Sequence, residues 1–399
     1  MSPASGCRFR LERRGRTEVT HAYFDHNATT PVDERVLAAM LPYLRGEFGN
    51  ASSRHEFGTT ARKAVDTARE RVAALVGVQP AQVVFVSGGT EANNLMLRGA
   101  AAYLKPTQIA ISAIEHPCVV KPAQDLGRQG WKVRKLAVTR DGTIDLGDVD
   151  DALKAPTGMV SVMLANNETG VIQDVAAVAH RARSAGAWIH TDAVQALGKI
   201  PVDFDRLNVH AMTVSAHKLY GPKGTGALIV DKRLELKPII DGGGHERGLR
   251  SGTENVPAIV GFGAACELAA ERMGELGVRL AAARLGLEDG LREMGAVIFG
   301  ERSPRVPNTT YFALPGIDGE ALVIELDKAG FAVAAGAACS STSTEPSATL
   351  LGMGIAPEIA RGAVRLSTGV GNTADEVDGF LTALSAVADS LRRLTAIAV

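Results

Sequence analysis

Strand-like and helix-like apolar patterns alternate through the middle of the chain, and this alternation constrains the fold more than any other feature. Residues 83–86 read as a buried strand that leads into a helix. The alternation then continues through residues 109–114, 119–126, 131–138, 160–164, 175–184 and 188–189. Such a rhythm predicts an α/β fold with a mainly parallel sheet and helices on both faces. In sheets of this kind the working residues lie at the carboxyl ends of the strands.

Polar residues follow three of these predicted strands, at the point where each strand ends. The clusters are Glu115-His116, Asn166-Asn167-Glu168 and the segment from His190 through Asp192 to Gln195. A polar turn can simply end a strand, and that would explain any one cluster alone. Three clusters in register predict a shared functional edge of the sheet.

The segment after residues 83–86 combines a turn of small residues with the start of a helix. Gly88, Gly89 and Thr90 lie in this turn. Free backbone N–H groups and the positive end of the helix dipole meet at such a position and bind anions. The turn lacks the lysine of a P-loop, so a single phosphate fits better than a nucleoside triphosphate. An ordinary helix cap is the alternative interpretation.

Lys218 stands at the end of another strand-like run, beside Ser215 and His217 and before a glycine-rich turn over residues 221–226. Partial desolvation of a lysine favours the neutral amine, which can form a Schiff base with an aldehyde cofactor. Ser215 and His217 can face an anion, and the glycines let the backbone approach a bulky ligand. A surface lysine is the alternative. The anion turn and the polar strand ends favour the cofactor site.

The composition is ordinary for a soluble globular enzyme, with 46% hydrophobic and 22% charged residues. Lys and Arg total 43 against 44 for Asp and Glu, so no general attraction to nucleic acid or acidic membranes is expected. No apolar run approaches the roughly 20 residues of a membrane span. The cysteines are widely scattered and show neither metal-ligand spacing nor a disulfide framework; they are Cys7, Cys118, Cys266 and Cys339. We therefore expect a cytoplasmic protein with no resident metal.

The length of 399 residues predicts two domains. Residues 1–20 are rich in arginine but have no apolar segment, so we expect an N-terminal extension and not a secretory signal. A large domain is expected over residues 21–265 and a smaller α+β domain over residues 266–399, divided within a long helical region. The glycine-rich segment 241–253 is predicted to be an exposed loop that reaches a partner subunit.

Cys339 lies among small residues, in a stretch with little apolar content after it. A buried structural cysteine normally lies among apolar residues, so this thiol is predicted to be reactive. Further on, a strand-like run carries Arg365, and Thr373 with Glu376 forms a capping box that opens the last helix.

These motifs, taken in order from about residue 23 to residue 391, resemble the cysteine desulfurases, a branch of the class V aminotransferase-like, fold-type I enzymes that use pyridoxal 5′-phosphate. The loop with Glu345-Pro346-Ser347 resembles the group I branch, which serves nitrogenase and general iron–sulfur assembly. His26 departs from the Asn of many members. The motifs that carry the resemblance are Ala28-Thr29-Thr30-Pro31, Ser87-Gly88-Gly89-Thr90-Glu91, Glu115-His116, Asn166-Asn167-Glu168, His190 with Asp192-Ala193 and Gln195, His217-Lys218, Gly242-Gly243-Gly244-His245-Glu246-Arg247, Arg250-Ser251-Gly252-Thr253, Cys339-Ser340-Ser341 and Arg365-Leu366-Ser367-Thr368-Gly369.

The resemblance implies a role for each residue around the cofactor. Lys218 would form the Schiff base and shuttle protons, and Asp192 would pair with the pyridinium nitrogen. Gln195 would hydrogen-bond the phenolic oxygen, while His116 would stack on the ring and serve as an acid–base for the substrate thiol. The phosphate would be held by Gly89, Thr90, Ser215, His217 and, from the other subunit of a homodimer, Thr253.

The resemblance also implies roles toward the substrate, L-cysteine. Asn27, Asn167 and Arg365 would bind its carboxylate, Arg365 by a bidentate pair. Cys339, as a thiolate, would attack the substrate sulfur, keep it as a persulfide and release alanine. Cys339 is also the residue that could contact an iron–sulfur cluster transiently.

Two other functions share much of this pattern. Another class V enzyme, such as an aminotransferase or selenocysteine lyase, would need Lys218 and Asp192 but not Cys339. A non-catalytic scaffold would lose the lysine, and the intact set argues against it. The sequence leaves the sulfur acceptor open between an iron–sulfur scaffold protein, tRNA thiolation and DNA phosphorothioation.

Overall fold

In the computed structural model, the described part of the chain is residues 21–336 and 345–397, with side chains described through residue 394. The strands are β1 (Ala22–Tyr23), β2 (Val83–Val86), β3 (Gln108–Ser112), β4 (Lys132–Leu136), β5 (Thr157–Ser161), β6 (Trp188–Asp192), β7 (Ala211–Ser215), β8 (Gly226–Val230), β9 (Val297–Ile298), β10 (Thr309–Ala313), β11 (Phe331–Ala332), β12 (Ala334–Ala335) and β13 (Ala363–Ser367). The helices are α1 (Glu34–Arg45), α2 (Glu56–Val76), α3 (Gly89–Ala101), α4 (Pro117–Arg128), α5 (Leu146–Ala152), α6 (Val175–Ser184), α7 (Phe204–Leu207), α8 (Val256–Glu293), α9 (Gly319–Lys328), α10 (Ala348–Gly352), α11 (Pro357–Arg361) and α12 (Ala374–Ile397).

A seven-stranded sheet in the order β2-β8-β7-β6-β5-β3-β4 forms the centre of the larger part. Its pairs β3–β4, β3–β5, β5–β6 and β6–β7 are parallel, and β8 is antiparallel to both β2 and β7. The predicted α/β fold with a mainly parallel sheet is therefore confirmed. The antiparallel insertion of β8 brings Gly226 beside Ser215, just ahead of Lys218.

Apolar clusters on the two faces of this sheet hold the helices in place. Strand β2 shows the alternation, because Val83 and Phe85 join one cluster while Val84 and Val86 join the other. Helices α2, α6 and the first half of α8 pack on the first face, and α3 and α4 pack on the second.

The smaller part is built on an antiparallel sheet in the order β12-β13-β10-β9, covered by α9 and α12. Thr373 and Glu376 exchange backbone-to-side-chain hydrogen bonds, so the predicted capping box is present. The start of the described chain contributes here too, because β1 pairs with β11 and Phe24 is buried in the same apolar cluster.

Helix α8 is continuous from Val256 to Glu293 and belongs to both parts. Phe262 near its start lies in a cluster of the large sheet, and Leu287 near its end lies in the cluster of the small one. The proposed division between residues 265 and 266 falls inside this helix, so the two parts share a rigid connection. Among the described residues, no helix combines the length and apolar character that crossing a bilayer requires.

Candidate active site

The predicted site residues of the large sheet meet at its carboxyl edge. His116 follows β3, Asn167 follows β5, and Asp192 ends β6. Lys218 is the last residue of the short 3-10 turn that follows β7. The N-terminus of α3 lies beside them, because Asn93 on that helix donates to Asp192 Oδ2 at 2.7 Å. The strand-end expectation from the sequence thus describes a real spatial cluster.

Lys218 is held by the backbone of the segment that precedes α1. Its Nζ donates to the carbonyl oxygen of Ala28 at 2.7 Å and to that of Asn27. The carbonyl of His217 in turn accepts from both the backbone N–H and the hydroxyl of Thr30. These contacts fix the amine in a partly buried position at the mouth of the sheet.

Asp192 is buried and its two oxygens are both oriented. Oδ1 accepts from the backbone N–H of Val194 at 2.9 Å, and Oδ2 accepts from Asn93. Sequence reasoning assigned no role to Asn93, which is fully buried one turn inside α3. The sequence shows that Asn93 follows Thr90 at the start of a helix, but it does not show the contact of Asn93 with β6, which lies three places from β2 in the sheet.

His116 caps the N-terminus of α4, and this fixes its ring. Its Nδ1 accepts from the backbone N–H of Cys118 at 3.2 Å and lies 2.8 Å from Cys118 Sγ. Burial lowers the pKa of His116; nearby Asp192 opposes this effect and Lys218 adds to it. A neutral ring that accepts at Nδ1 carries its proton on Nε2.

The start of α3 and the end of β7 together present groups that suit an anion, and this pair of segments is called the anion cradle below. Ser215 pairs in register with Gly226, which pairs with Val86 just before the turn. Ser215 Oγ is buried without a hydrogen-bond partner among the described residues, and Gly88 offers no side chain to cap the helix. A Cβ at Gly89 would meet Val194 Cγ2 at 2.9 Å, so close backbone approach requires glycine there.

His217 stands beside the same cradle. Its Nδ1 lies 3.2 Å from Thr29 Oγ1. Burial, followed by the charges of Lys218 and Lys223, lowers the pKa of His217 to about 4. The ring is therefore neutral near pH 7, so any anion beside it would meet a hydrogen-bonding group and not a cation.

Arg365 lies on β13 of the small sheet and reaches toward the large one. Its Nη1 donates to the backbone carbonyl of Asn167 at 2.9 Å and its Nη2 to Asp25 Oδ1 at 2.6 Å. Its Nε is buried with no partner among the described residues. The guanidinium is thus fixed by two anchors and retains donor capacity. Asn167 contributes its backbone to this arrangement.

Asn27 connects more of the site than its predicted role as a substrate ligand suggested. Its carbonyl accepts from Lys218 and from Gln195 Nε2, and its side chain meets Lys199 and Asn308. Sequence reasoning missed Lys199 and Asn308, which lie outside the motifs quoted for the resemblance.

The loop over residues 241–253 is anchored to its own chain as well as exposed. Glu246 forms a bidentate ion pair with Arg69, at 2.7 Å for both bonds, and Arg250 pairs with Glu91 at 3.0 Å. Thr253 itself is exposed. These anchors place the loop next to the start of α3.

Cys339, the predicted nucleophile, lies outside the described residues. Beyond that gap, Ser347 and Thr349 donate to the carboxylate of Glu168, at 2.5 and 2.7 Å, and Tyr311 donates to it at 3.0 Å. The segment after the gap is therefore held beside Asn167. Among residues 21–336 and 345–397, no group of His, Cys, Asp and Glu side chains could hold a metal ion.

A lysine at the carboxyl edge of a mainly parallel sheet, backed by an aspartate and an anion cradle, defines an enzyme of the aminotransferase type. The family model described as aminotransferase class-V matches residues 22–380. The chain belongs to this family and, within it, to the group I cysteine desulfurases.

The relatives agree over nearly the whole chain. A protein named cysteine desulfurase IscS from Anaeromyxobacter sp. (strain K) is 45% identical over 363 residues, which cover 89% of each chain. Cysteine desulfurase IscS 1 from Archaeoglobus fulgidus is 41% identical and is aligned over 94% of this chain and 98% of its own length.

Solved structures agree as well. One titled NifS-like protein has a TM-score of 0.88 at 37% identity, with 93% of this chain and all of the other covered. Another, titled SspA in complex with cysteine, has a TM-score of 0.77 at 31% identity, and the match covers 86% of this chain and 98% of the other.

Proposed function

We propose that the protein converts L-cysteine to L-alanine with pyridoxal 5′-phosphate and delivers the sulfur, through a persulfide on Cys339, to an acceptor protein. The observation that carries the proposal is the meeting of four groups at one edge of the sheet. These are the Lys218 amine, the Asp192 carboxylate, the neutral His116 ring and the anchored Arg365 guanidinium.

The donors at this edge fit pyridoxal 5′-phosphate. The unpartnered Ser215 hydroxyl and the uncapped start of α3 suit its phosphate, and Asp192 suits a protonated pyridine nitrogen. Gln195 Nε2 suits the phenolic oxygen. The cofactor supplies an electron sink for the substrate carbon atoms.

Each residue then has a defined task. Arg365 binds the substrate carboxylate through its remaining donor capacity, and Lys218 holds and moves protons at the substrate carbon atoms. Neutral His116 takes or returns a proton at the substrate sulfur. In the balance, the carbon–sulfur bond of cysteine breaks and a sulfur–sulfur bond to Cys339 forms. The carbon takes a proton in place of sulfur, so cysteine and one thiol give alanine and one persulfide.

The first test follows alanine and enzyme-bound sulfane sulfur after one addition of cysteine. The wild-type protein is expected to form both in equal amounts. Cys339→Ser is expected to bind cysteine, seen as a change in cofactor absorbance, but to form neither product. Wild-type turnover in Cys339→Ser would place the nucleophile elsewhere and overturn the proposal.

A companion variant tests the amine. Lys218→Ala is expected to lose all turnover and the absorbance band that borohydride bleaches, while the phosphate grip still retains some cofactor. Persistence of the band together with activity in this variant would contradict the role of Lys218. Release of alanine from selenocysteine alone would favour a lyase.

The same proposal includes a homodimer. The exposed Thr253, at the end of a loop anchored beside α3, is available to a neighbouring subunit's phosphate site. Light scattering is expected to give twice the mass of one chain, and Thr253→Ala is expected to weaken cofactor binding. A fully active monomer would rule out shared sites.

The acceptor is proposed to be a cytoplasmic protein, either an iron–sulfur scaffold or a carrier for thio-modification. Transfer can be followed with cysteine labelled in its sulfur, by mass spectrometry of each candidate acceptor. Transfer to a scaffold at a higher rate than to free dithiols would support the iron–sulfur role, and equal rates would contradict a dedicated acceptor.

A further inference from the structure

Lys199 brings a second amine to the active site, behind Lys218. It is partly buried in the turn after β6, and its Nζ donates to Gln195 Oε1 at 2.8 Å and to Asn27 Oδ1 at 2.6 Å. These two partners also contact each other, because Gln195 Nε2 donates to the backbone oxygen of Asn27. Lys218 Nζ donates to the same backbone oxygen. Lys199 and Lys218 are thus linked through a single residue.

These contacts determine which way the Gln195 amide faces. A lysine amine offers hydrogens, so the end of the amide that meets Lys199 must be the oxygen. A carbonyl only accepts, so the end that meets Asn27 must be the nitrogen, at 2.9 Å. With the opposite orientation, two donors would face each other at Lys199 and two acceptors would face each other at Asn27.

The orientation leaves one hydrogen of Gln195 for a ligand. Nε2 carries two hydrogens and makes one hydrogen bond among the described residues. Gln195 is buried, so its second hydrogen would cost free energy if no acceptor met it. The phenolic oxygen of the proposed cofactor is such an acceptor.

Asn27 keeps this arrangement rigid from the side of the small sheet. Its Oδ1 also accepts from Asn308 Nδ2 at 3.1 Å, and its Nδ2 donates to Thr309 Oγ1 at 2.9 Å. The acceptor of Lys199 is therefore held by residues next to and within β10. A lysine bound to an oxygen fixed in this way has little freedom to leave Gln195.

We propose that Lys199 is a positioning residue that orients the Gln195 amide so that its nitrogen faces the phenolic oxygen of the bound cofactor. This inference rests on the proposed function, because it concerns the same cofactor. Lys199 acts through Gln195 and does not itself touch the reacting atoms.

The protonation of Lys199 is compatible with this task. Burial, followed by the charges of Lys218 and Arg365, shifts the pKa of Lys199 well below its usual range. A neutral amine still carries two hydrogens, which match its two oxygen partners. The two contacts of Lys199 are therefore possible whether its amine is protonated or neutral.

Binding of pyridoxine 5′-phosphate to the apoenzyme tests the inference by calorimetry. This probe keeps the phenolic oxygen and the phosphate but has no aldehyde, so no bond to Lys218 forms. Lys199→Met and Gln195→Ala are each expected to weaken binding about two- to tenfold, the range of one hydrogen bond. The double variant is expected to bind no more weakly than Gln195→Ala alone, because Lys199 acts only through Gln195.

The outcomes separate this inference from the proposed function. A wild-type apoenzyme that does not bind the probe contradicts the cofactor assignment itself. Wild-type affinity in Lys199→Met, or independent losses that multiply in the double variant, overturns the role of Lys199. Lys232→Met, an exposed lysine in the turn after β8, is the matched control and is expected to bind as the wild type does.

A second measurement leaves Lys199 in place, in case its replacement prevents folding. Gln195→Glu keeps an acceptor for Lys199, whereas Gln195→Met leaves a buried donor without its partner. Both variants lose the hydrogen bond to the Asn27 carbonyl, so the melting temperature of the apoenzyme is expected to fall in both. It is expected to fall further in Gln195→Met, because only Gln195→Glu keeps an acceptor for Lys199. The reverse order would show that the two side chains are not coupled.

Discussion

At the scale of single residues, Cys118 is a second thiol near the proposed site, and its surroundings predict that it is not the nucleophile. Its Sγ accepts from Asn93 Nδ2 at 3.0 Å and lies beside the His116 ring. Burial, followed by the charge of Asp192, raises the pKa of Cys118 far above its usual range. A thiol that stays protonated is a poor nucleophile.

Cys118→Ala is therefore expected to retain alanine and persulfide formation within about threefold of the wild type, since it removes about one hydrogen bond near His116. Cys118→Ser, which keeps a donor and an acceptor, is the control and is expected to lie closer to the wild type. Single-turnover sulfide and alanine assays measure both. Loss of persulfide in Cys118→Ala would make Cys118 the sulfur acceptor.

The sequence placed the residues that follow strands, and the structure shows why. The apolar patterns of β3, β5 and β6 indicate where the chain leaves the sheet at the end of each strand. The positions of His116, Asn167 and Asp192 could therefore be predicted from periodicity. Asn93 and Lys199 could not, because each acts through a side chain that crosses to another element. Such contacts depend on the packing distance between elements, which no local pattern encodes.

At the scale of elements, the ion pair between α2 and the 241–253 loop holds a backbone that is costly to form. Glu246 and Arg247 have φ values of 47° and 58°, in the left-handed region that non-glycine residues rarely adopt. Glu246 accepts from both terminal nitrogens of Arg69 and from the backbone N–H of Phe85. The arginine also lies over the Phe85 ring, 4.7 Å from its centroid.

Arg69→Met is expected to destabilise the protein by about 3–5 kcal/mol, because it leaves a buried carboxylate without its partner. It is also expected to speed tryptic cleavage within residues 241–253. Thermal unfolding and limited proteolysis measure the two effects. Lys154→Met, which breaks an exposed ion pair with Asp151, is the control and should change neither. Equal behaviour of the two variants would contradict a role for the Arg69 pair in holding the loop.

Elements with local signals were predicted well, and elements defined by partners were not. Gly77, in the left-handed conformation, ends α2, and a glycine directly after a helical apolar spacing is a stop signal that the sequence alone provides. A proline often opens a helix, which would favour a start at Pro31 from the sequence alone. Helix α1 begins instead at Glu34, because the side chain of Asp33 caps it by accepting from the backbone N–H of Arg35. The apolar residues 331–334 are typical of one short strand, but the chain there forms the two strands β11 and β12, which pair with different partners. That division depends on tertiary pairing.

At the scale of the whole molecule, buried neutral histidines link folding to pH. Burial lowers the pKa of His26 to about 4, with the charge of Lys199 adding to the effect, and burial lowers that of His190 to about 3. His210 and His217 have pKa values lowered to about 4, also chiefly by burial. As pH falls through the ordinary value of 6.5, the unfolded chain takes up protons that these rings in the folded protein do not. Acid therefore favours the unfolded chain.

The contribution of these histidines to the free energy of unfolding is accordingly expected to be nearly constant above pH 7 and to fall between pH 6.5 and pH 4. Each buried histidine contributes a slope of about 1.4 kcal/mol per pH unit within its own window. For His26 that window sums to about 3 kcal/mol, so His26→Asn is expected to reduce the loss of melting temperature on acidification. His180→Asn, at an exposed position on α6, is the control. Melting curves taken from about pH 7.5 to about pH 4.5, which spans most of that window, measure the slope. An identical acid slope in His26→Asn and the wild type would mean that His26 is protonated in the folded protein.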